Sequence, residues 1–245
     1  MTELVGSELL STLPFVRFAM STRLGGVSPE PLGMNLSYHV GDAPERVAAN
    51  REKFFHAVGM DPLQLALPRQ CHSAKVVCAN TGGDYQACDG LTTATAGVWL
   101  AVSIADCVPV ILADAQRKAV AALHAGWRGT VQQIVRQGIV LMSEAFGTKS
   151  EGLIAYIGPS AGACCYEVGS DVAEQFPPTA FAKRNGSLFL NLKLENKRQL
   201  QEAGVPENNI ETSPYCTICK SDLFHSYRRD KERSGRMMAV VGIRS

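Results

Sequence analysis

The sequence predicts a mixed α/β or α+β domain built around a large mixed sheet. Three observations predict it. Hydrophobic residues make up 46% of the 245 positions and charged residues 19%, a balance that supports one sizeable core and excludes a disordered chain. Short runs rich in β-branched residues recur along the chain, several of them apolar on both faces, as strands covered on each side are. Helix signals are few but well delimited.

In chain order, the first helix follows Asp42, which can cap it, with Pro44 in its first turn. Val47, Arg51, Phe54, Phe55 and Val58 recur at helical spacing before Gly59 ends it. Strands are expected over 75–79, 98–104, 108–113 and 119–123, with Pro109 breaking the ladder of the third. Thr130 can cap a second helix, in which Val131, Ile134, Val135, Ile139 and Met142 form one apolar stripe. A strand over 153–157, a helix near 194–203 closed by Gly204, and a strand over 238–243 complete the pattern. No repeat and no low-complexity tract interrupts it. The loop-like stretches 81–84 and 176–179 are too short to act as interdomain linkers, so a single domain over 1–245 is expected.

A formal net charge of +1, without a Lys/Arg-rich tract, argues against a nucleic-acid partner. The start of the chain carries Glu3 and Glu8 and no basic segment, which is unlike a secretory signal. The longest apolar run, about 97–104, is far short of the ~20 residues that span a bilayer. Eight cysteines in such a chain read as thiols of a reducing compartment, so a soluble cytoplasmic protein without a membrane partner is expected.

Chemistry concentrates where strands end. His124 closes the run AVAAL and opens HAGWRG (124–129), whose glycines let the backbone turn sharply and bring Arg128 close to what His124 faces. Cys107 lies in ADCVP (105–109) between two buried strands, and His72 lies in RQCHS (69–73) just before another. Strand ends of this kind face the crevice where ligands of α/β sheets bind. One cysteine and two histidines fit a tetrahedral site for zinc or copper with one open position. Spacings of 35 and 17 residues are no metal signature by themselves. A core thiol with locally bonded histidines, and a Cys107–His124 nucleophile pair, therefore stay open beside the metal reading.

Other features are weaker. The single Cys-x-x-Cys at 216–219 and the adjacent Cys164 and Cys165 read as structural or packing thiols. The Gly turn STRLGGVS (21–28) places Arg23 among hydroxyls, which suits an anion, although no Walker loop is present. Arg228 and Arg229 form either a second anion clamp or a solvated turn, and His39 and His225 read as hydrogen-bonded structural histidines.

Together, TRLGGVS (22–28), MNLSYHVGD (34–42), Asn50-Arg51, RQCHSAKV (69–76), CDGL (88–91), ADCVPVILAD (105–114), HAGWRGT (124–130), GPSAGACCYEVG (158–169), CT (216–217), SYRRD (226–230) and GRM (235–237) span nearly the whole chain in order. As a set they resemble the YfiH family, also called the laccase-domain or multicopper polyphenol oxidoreductase family, purine nucleoside phosphorylase, or peptidoglycan editing factor. Cys71 is a local departure, standing where the family usually has a small apolar residue.

The resemblance implies an α+β fold, a single four-layer α-β-β-α sandwich, and a zinc site made by His72, Cys107 and His124, with copper as the alternative metal. It also implies zinc-dependent phosphorolysis of purine nucleosides (adenosine, inosine, methylthioadenosine) with adenosine deaminase activity. The small-molecule partners would be a nucleoside and phosphate. Arg23 and Arg128 would hold phosphate, with Arg228 as a further candidate, Asn35 would bond sugar or base, and Asp106 would shuttle a proton or support the metal shell. The alternative is a peptidoglycan-editing hydrolase acting on a mis-aminoacylated muramyl nucleotide. A genuine multicopper laccase is not expected, because only His39, His56 and His225 remain for a three-copper cluster.

Overall fold

The computed structural model describes residues 2–244. The β-branched runs assemble into two six-stranded sheets rather than one. From edge to edge, the first contains Leu4–Val5, Val16–Ser21, Met237–Ile243, Trp99–Ile104, Leu65–Pro68 and Gly83–Tyr85. The second contains Ile210–Thr212, Leu153–Ile157, Val108–Asp114, Ala119–Ala125, Gly90–Thr93 and Val76–Cys78. Both are mixed: Met237–Ile243 is antiparallel to both its neighbours, whereas Trp99–Ile104 pairs in parallel with Leu65–Pro68. A small three-stranded sheet (Glu167–Val168, Ser187–Leu190, Phe181–Arg184) is set apart from them.

The period of two along each strand decides the layers. Leu100, Val102 and Ile104 of the first sheet meet Ile111, Ala113, Val120 and Ala122 of the second in a common core. The intervening Trp99 and Ala101 point the other way, onto Phe54 and Phe55 of helix α1 (Pro44–Val58). On the far face of the second sheet, Val110, Leu112, Ala121 and Leu123 pack on three helices: α2 (Trp127–Val131), α3 (Ile134–Phe146) and α4 (Leu192–Glu202). The order is α-β-β-α. The strands read as apolar on both faces because each central one lies between two layers.

The helix starts differ from expectation. Ala43, not Asp42, is the N-cap of α1, because the Asp42 carboxylate is occupied by Ser28 Oγ at 2.7 Å and Asn35 Nδ2 at 3.0 Å. Gly59 does end α1, at φ 71°. The helix expected from Thr130 onward is two helices, broken at Gln133 with φ 59°. Thr130 is buried inside α2 rather than capping, and its Oγ1 accepts from Asn196 of α4 at 3.1 Å while its carbonyl accepts from Gln199 at 2.8 Å. α4 starts from Asn191, whose side chain accepts the Leu194 N–H at 3.1 Å, two residues earlier than expected.

Pro109 does not break its strand. It sits within Val108–Asp114 opposite His124, whose N–H turns instead to the Asp89 carbonyl at 2.7 Å, while Gly158 donates to the Pro109 carbonyl at 2.9 Å. The ladder therefore needs no N–H from Pro109 at that point.

Candidate active site and metal centre

The register of the second sheet builds the centre. Val108 pairs with Ala125 and Pro109 with His124, so the turn before one strand and the end of the other lie side by side. This brings Cys107 against His124. His72 arrives from a third segment, and the ligand atoms of His72, Cys107 and His124 all lie within 4.8 Å of one another. The two imidazoles meet edge to face, with ring centroids 5.1 Å apart.

Asp89, which nothing in its spacing singles out, ties His124 to the segment that carries His72. Fully buried, its carboxylate accepts the backbone N–H groups of Cys71 (3.0 Å), His72 (2.9 Å) and Ser73 (2.8 Å), the Ser73 hydroxyl (2.9 Å) and His124 Nδ1 (2.9 Å). Burial alone would raise its carboxyl, but His124 and the N–H groups of Ser73 and Cys71 outweigh burial and hold it well below the usual carboxylate range. An ionised Asp89 accepts only. His124 therefore carries its proton on Nδ1 and presents the Nε2 lone pair to the centre, the arrangement that orients a metal-binding histidine. The only trace of Asp89 in the sequence is its place in the CDGL segment.

Burial also opposes ionisation of Cys107, yet the adjoining His124 and His72 imidazoles outweigh it and lower the thiol; reciprocally, Cys107 and Asp89 raise His124. The backbone is held in uncommon conformations on both sides, with φ 61° at His72 and 93° at Asp106. Gly126 closes the cradle. A Cβ there would stand 3.0 Å from Cys107 Sγ and 3.3 Å from His72 Cδ2. One thiol of lowered pKa, one oriented imidazole, a second imidazole and a space shaped by a glycine fit a thiophilic metal with three protein ligands.

The centre lies in a cleft of about 1000 Å³ whose wall carries Tyr38, Tyr166 and Tyr227 together with Arg51, Arg69, Arg228, Lys231 and Arg236. Arg69 is paired with Asp84 at 2.7 Å and touches His39 Nε2 at 2.9 Å. His39 is thus hydrogen-bonded, as expected, but exposed on the cleft wall.

The remaining expected residues are placed differently. Arg23 lies outside the cleft wall: its guanidinium donates to the Ser221 carbonyl at 2.9 Å, the Pro31 carbonyl at 2.8 Å and the Glu30 carboxylate, so it ties loops together instead of facing an anion. Asn35 is fully buried behind the cleft, where Nδ2 donates to the Ser37 carbonyl and Oδ1 accepts the N–H groups of Ser37 and Arg236. Arg128 is exposed and stacked on Trp127, 4.3 Å from the ring centre, off the cleft wall. Asp106 touches the cleft, but its carboxylate accepts Thr217 Oγ1 (2.6 Å), Ser226 Oγ (3.0 Å) and the Arg228 N–H (2.6 Å). Three donors make it a fastener rather than a free proton shuttle. His225 is fully buried, and neither ring nitrogen has a hydrogen-bond partner, contrary to expectation. His56 is exposed on α1, so His39, His56 and His225 lie apart and assemble no three-copper cluster.

The chain is similar to several known proteins. A purine nucleoside phosphorylase of Deinococcus radiodurans is 39% identical over 233 residues, covering 93% of this chain and 89% of its own. The adenosine deaminase RL5 of an unknown prokaryote is 35% identical over 227 residues, covering 85% of this chain and 86% of its own. The crystal structure of YlmD from Geobacillus stearothermophilus superposes with a TM-score of 0.90 at 31% identity, covering 98% of this chain and 95% of that one. The family model described as multi-copper polyphenol oxidoreductase laccase matches residues 17–244. With the four-layer fold and the His-Cys-His centre in place, the chain belongs to this family, that of the YfiH and YlmD proteins.

Proposed function

We propose that the protein is a zinc-dependent purine nucleoside phosphorylase with adenosine deaminase activity. The observation that carries this reading is the convergence of His72, Cys107 and His124 on the floor of a cleft walled by tyrosines and arginines. The names of the relatives agree with it, and being nucleoside names they do not favour the peptidoglycan-editing alternative.

His72, Cys107 and His124 would hold the metal, with zinc preferred over copper as a redox-silent ion suited to a thiolate and two imidazoles. Bound there, it supplies Lewis-acid polarisation to an oxygen or nitrogen of the reacting molecules. The chain's own residues do the rest. In phosphorolysis a phosphate oxygen attacks the ribose C1′ as the bond to the purine breaks, so the site must hold an anion next to a sugar that becomes cationic. Arg228, Lys231 and Arg236 carry the positive potential for that anion. Asp106 fixes the Arg228 backbone, and Asn35 fixes that of Arg236. Asn35 is thereby a positioning residue, and the phosphate role expected of Arg23 passes to Arg228 and Arg236, whose guanidinia also bond backbone carbonyls but line the cleft. Tyr166 and Tyr227 offer flat faces to a base, and the Tyr227 hydroxyl is held by Glu232 at 2.8 Å. The domain acts as one unit over 1–245.

Adenosine turnover by zinc-quantified protein, with and without phosphate and beside a Cys107→Ala control, tests the reading. Phosphate-dependent adenine release that disappears in the variant is expected. Adenine release that ignores phosphate, or that survives loss of Cys107, would overturn it.

A further inference from the structure

Outside the first centre, the chain gathers four more sulfurs. Cys164 and Cys165 lie on one loop, Cys216 and Cys219 on another, and all four Sγ atoms are within 4.8 Å of one another. Cys219 Sγ stands 3.2 Å from that of Cys164 and 3.0 Å from that of Cys165. We propose that Cys164, Cys165, Cys216 and Cys219 form a second, structural metal site that takes one thiophilic divalent cation, zinc in the first place.

Four donors rather than two converge, which is the full complement of a closed tetrahedral site and twice what a disulfide uses. Zinc–sulfur bonds of about 2.3 Å put tetrahedral sulfurs roughly 3.8 Å apart, so the cluster needs to open by less than about 1 Å at its closest contacts to admit the ion. The turn from 216 to 219 is shaped for a thiolate. Cys216 Sγ accepts the Gly162 N–H at 3.3 Å, a backbone donor already aimed at that sulfur. Four sulfurs this close would repel one another as thiolates, so the cluster calls for positive charge among them.

The surroundings supply the charge balance and rigidity that a dianionic tetrathiolate requires. Lys193 Nζ donates to the Ser213 and Tyr215 carbonyls (2.8 and 3.0 Å) just before Cys216. Arg184 donates to the Ala163 and Cys164 carbonyls (2.7 and 2.8 Å), and Arg229 to those of Thr217 and Ile218 (2.9 and 3.2 Å). The loops are stitched together at Ser160 and Cys216 by a parallel bridge. Thr217, next to Cys216, donates to Asp106, the neighbour of Cys107. Closing the four sulfurs on an ion would thus brace the turn that presents Cys107, and the inference stands whether or not the nucleoside reading does.

Metal content and a cobalt spectrum test it. Wild-type protein loaded with zinc under reductant is expected to hold two equivalents per chain, and Cys107→Ser one. Cobalt-loaded Cys107→Ser is expected to show the intense thiolate-to-metal charge-transfer bands of a four-sulfur tetrahedral site, weakened and shifted when the exposed Cys219 is also replaced by Ser. Chelator should lower the melting temperature of Cys107→Ser, a readout independent of any further substitution. One equivalent of zinc in the wild type that is lost with Cys107, a cobalt spectrum without four-sulfur character, or a disulfide among the four cysteines under reductant would each overturn the proposal.

Discussion

Replacing Asp89 by Asn isolates what a buried carboxylate does for the His-Cys-His centre. The side chain keeps its shape, but one of its two acceptor oxygens becomes an NH₂ group, and Asp89 serves three backbone N–H groups, a hydroxyl and an imidazole. If the amide nitrogen faces His72 and His124, two donors oppose a donor. His124 can then relieve the conflict only by moving its proton from Nδ1 to Nε2, which removes the lone pair the metal needs. If it faces Cys71 and Ser73 instead, two buried N–H groups lose their acceptor. At about 1–3 kcal/mol for each unsatisfied buried donor, the first orientation, once His124 has switched, costs about 1–3 kcal/mol of stability and the second about 2–6 kcal/mol. The loss of an outer carboxylate partner costs a further 10- to 100-fold in metal affinity, on the order of 1.4–2.7 kcal/mol. Zinc competition against a chromophoric chelator and urea unfolding of the metal-free protein read the two effects separately. A zinc Kd within about threefold of wild type and an unchanged unfolding midpoint would refute the role assigned to Asp89.

Three further outcomes are expected. Gly126→Ala places a Cβ 3.0 Å from Cys107 Sγ, so zinc occupancy at the first centre should fall at least tenfold while circular dichroism stays native, because the backbone there (φ −70°) suits alanine. Arg228→Ala should raise the KM for phosphate about tenfold or more, whereas Arg23→Ala should leave that KM unchanged and lower the melting temperature, since Arg23 bonds loops and not the cleft. Burial, with Arg23, Arg236 and Arg229 reinforcing it, depresses the His225 pKa to about 3. The unfolded chain takes up a proton near pH 6.5 that the folded one refuses. Stability should therefore be full above pH 6.5 and fall by up to about 1.4 kcal/mol per pH unit towards pH 3. Unfolding midpoints across that range, compared with His225→Leu, would show a flatter profile in the variant; identical slopes would contradict the assignment.

Local chemistry determined much of this protein. The glycines after α1 and α4 and the runs apolar on both faces are short-range patterns, and the elements they mark formed with boundaries shifted by only a residue or two, whereas the stripe from Val131 to Met142 was split at Gln133. Cys107, His72 and His124 stood out because a thiol and two imidazoles at strand ends are rare and chemically suited to one another. What spacing did not contain is which segments become neighbours, since that depends on sheet register and on buried groups that must find partners. Thr130 was drawn into α2 by Asn196 and Gln199 of α4, not by its own propensity to cap. Arg23 carried the right charge for phosphate, but three acceptors on two other loops occupy it. Asp89, 17 and 35 residues from the histidines it organises, looked like any acidic residue before a strand until folding aimed six donors at it, the Cys71 thiol included. The two cysteine pairs, about fifty residues apart, became one cluster only when the Ser160–Cys216 bridge joined their loops. Residue chemistry thus marked candidate ligands, while the sheet register and the search of buried polar groups for partners decided which residues meet.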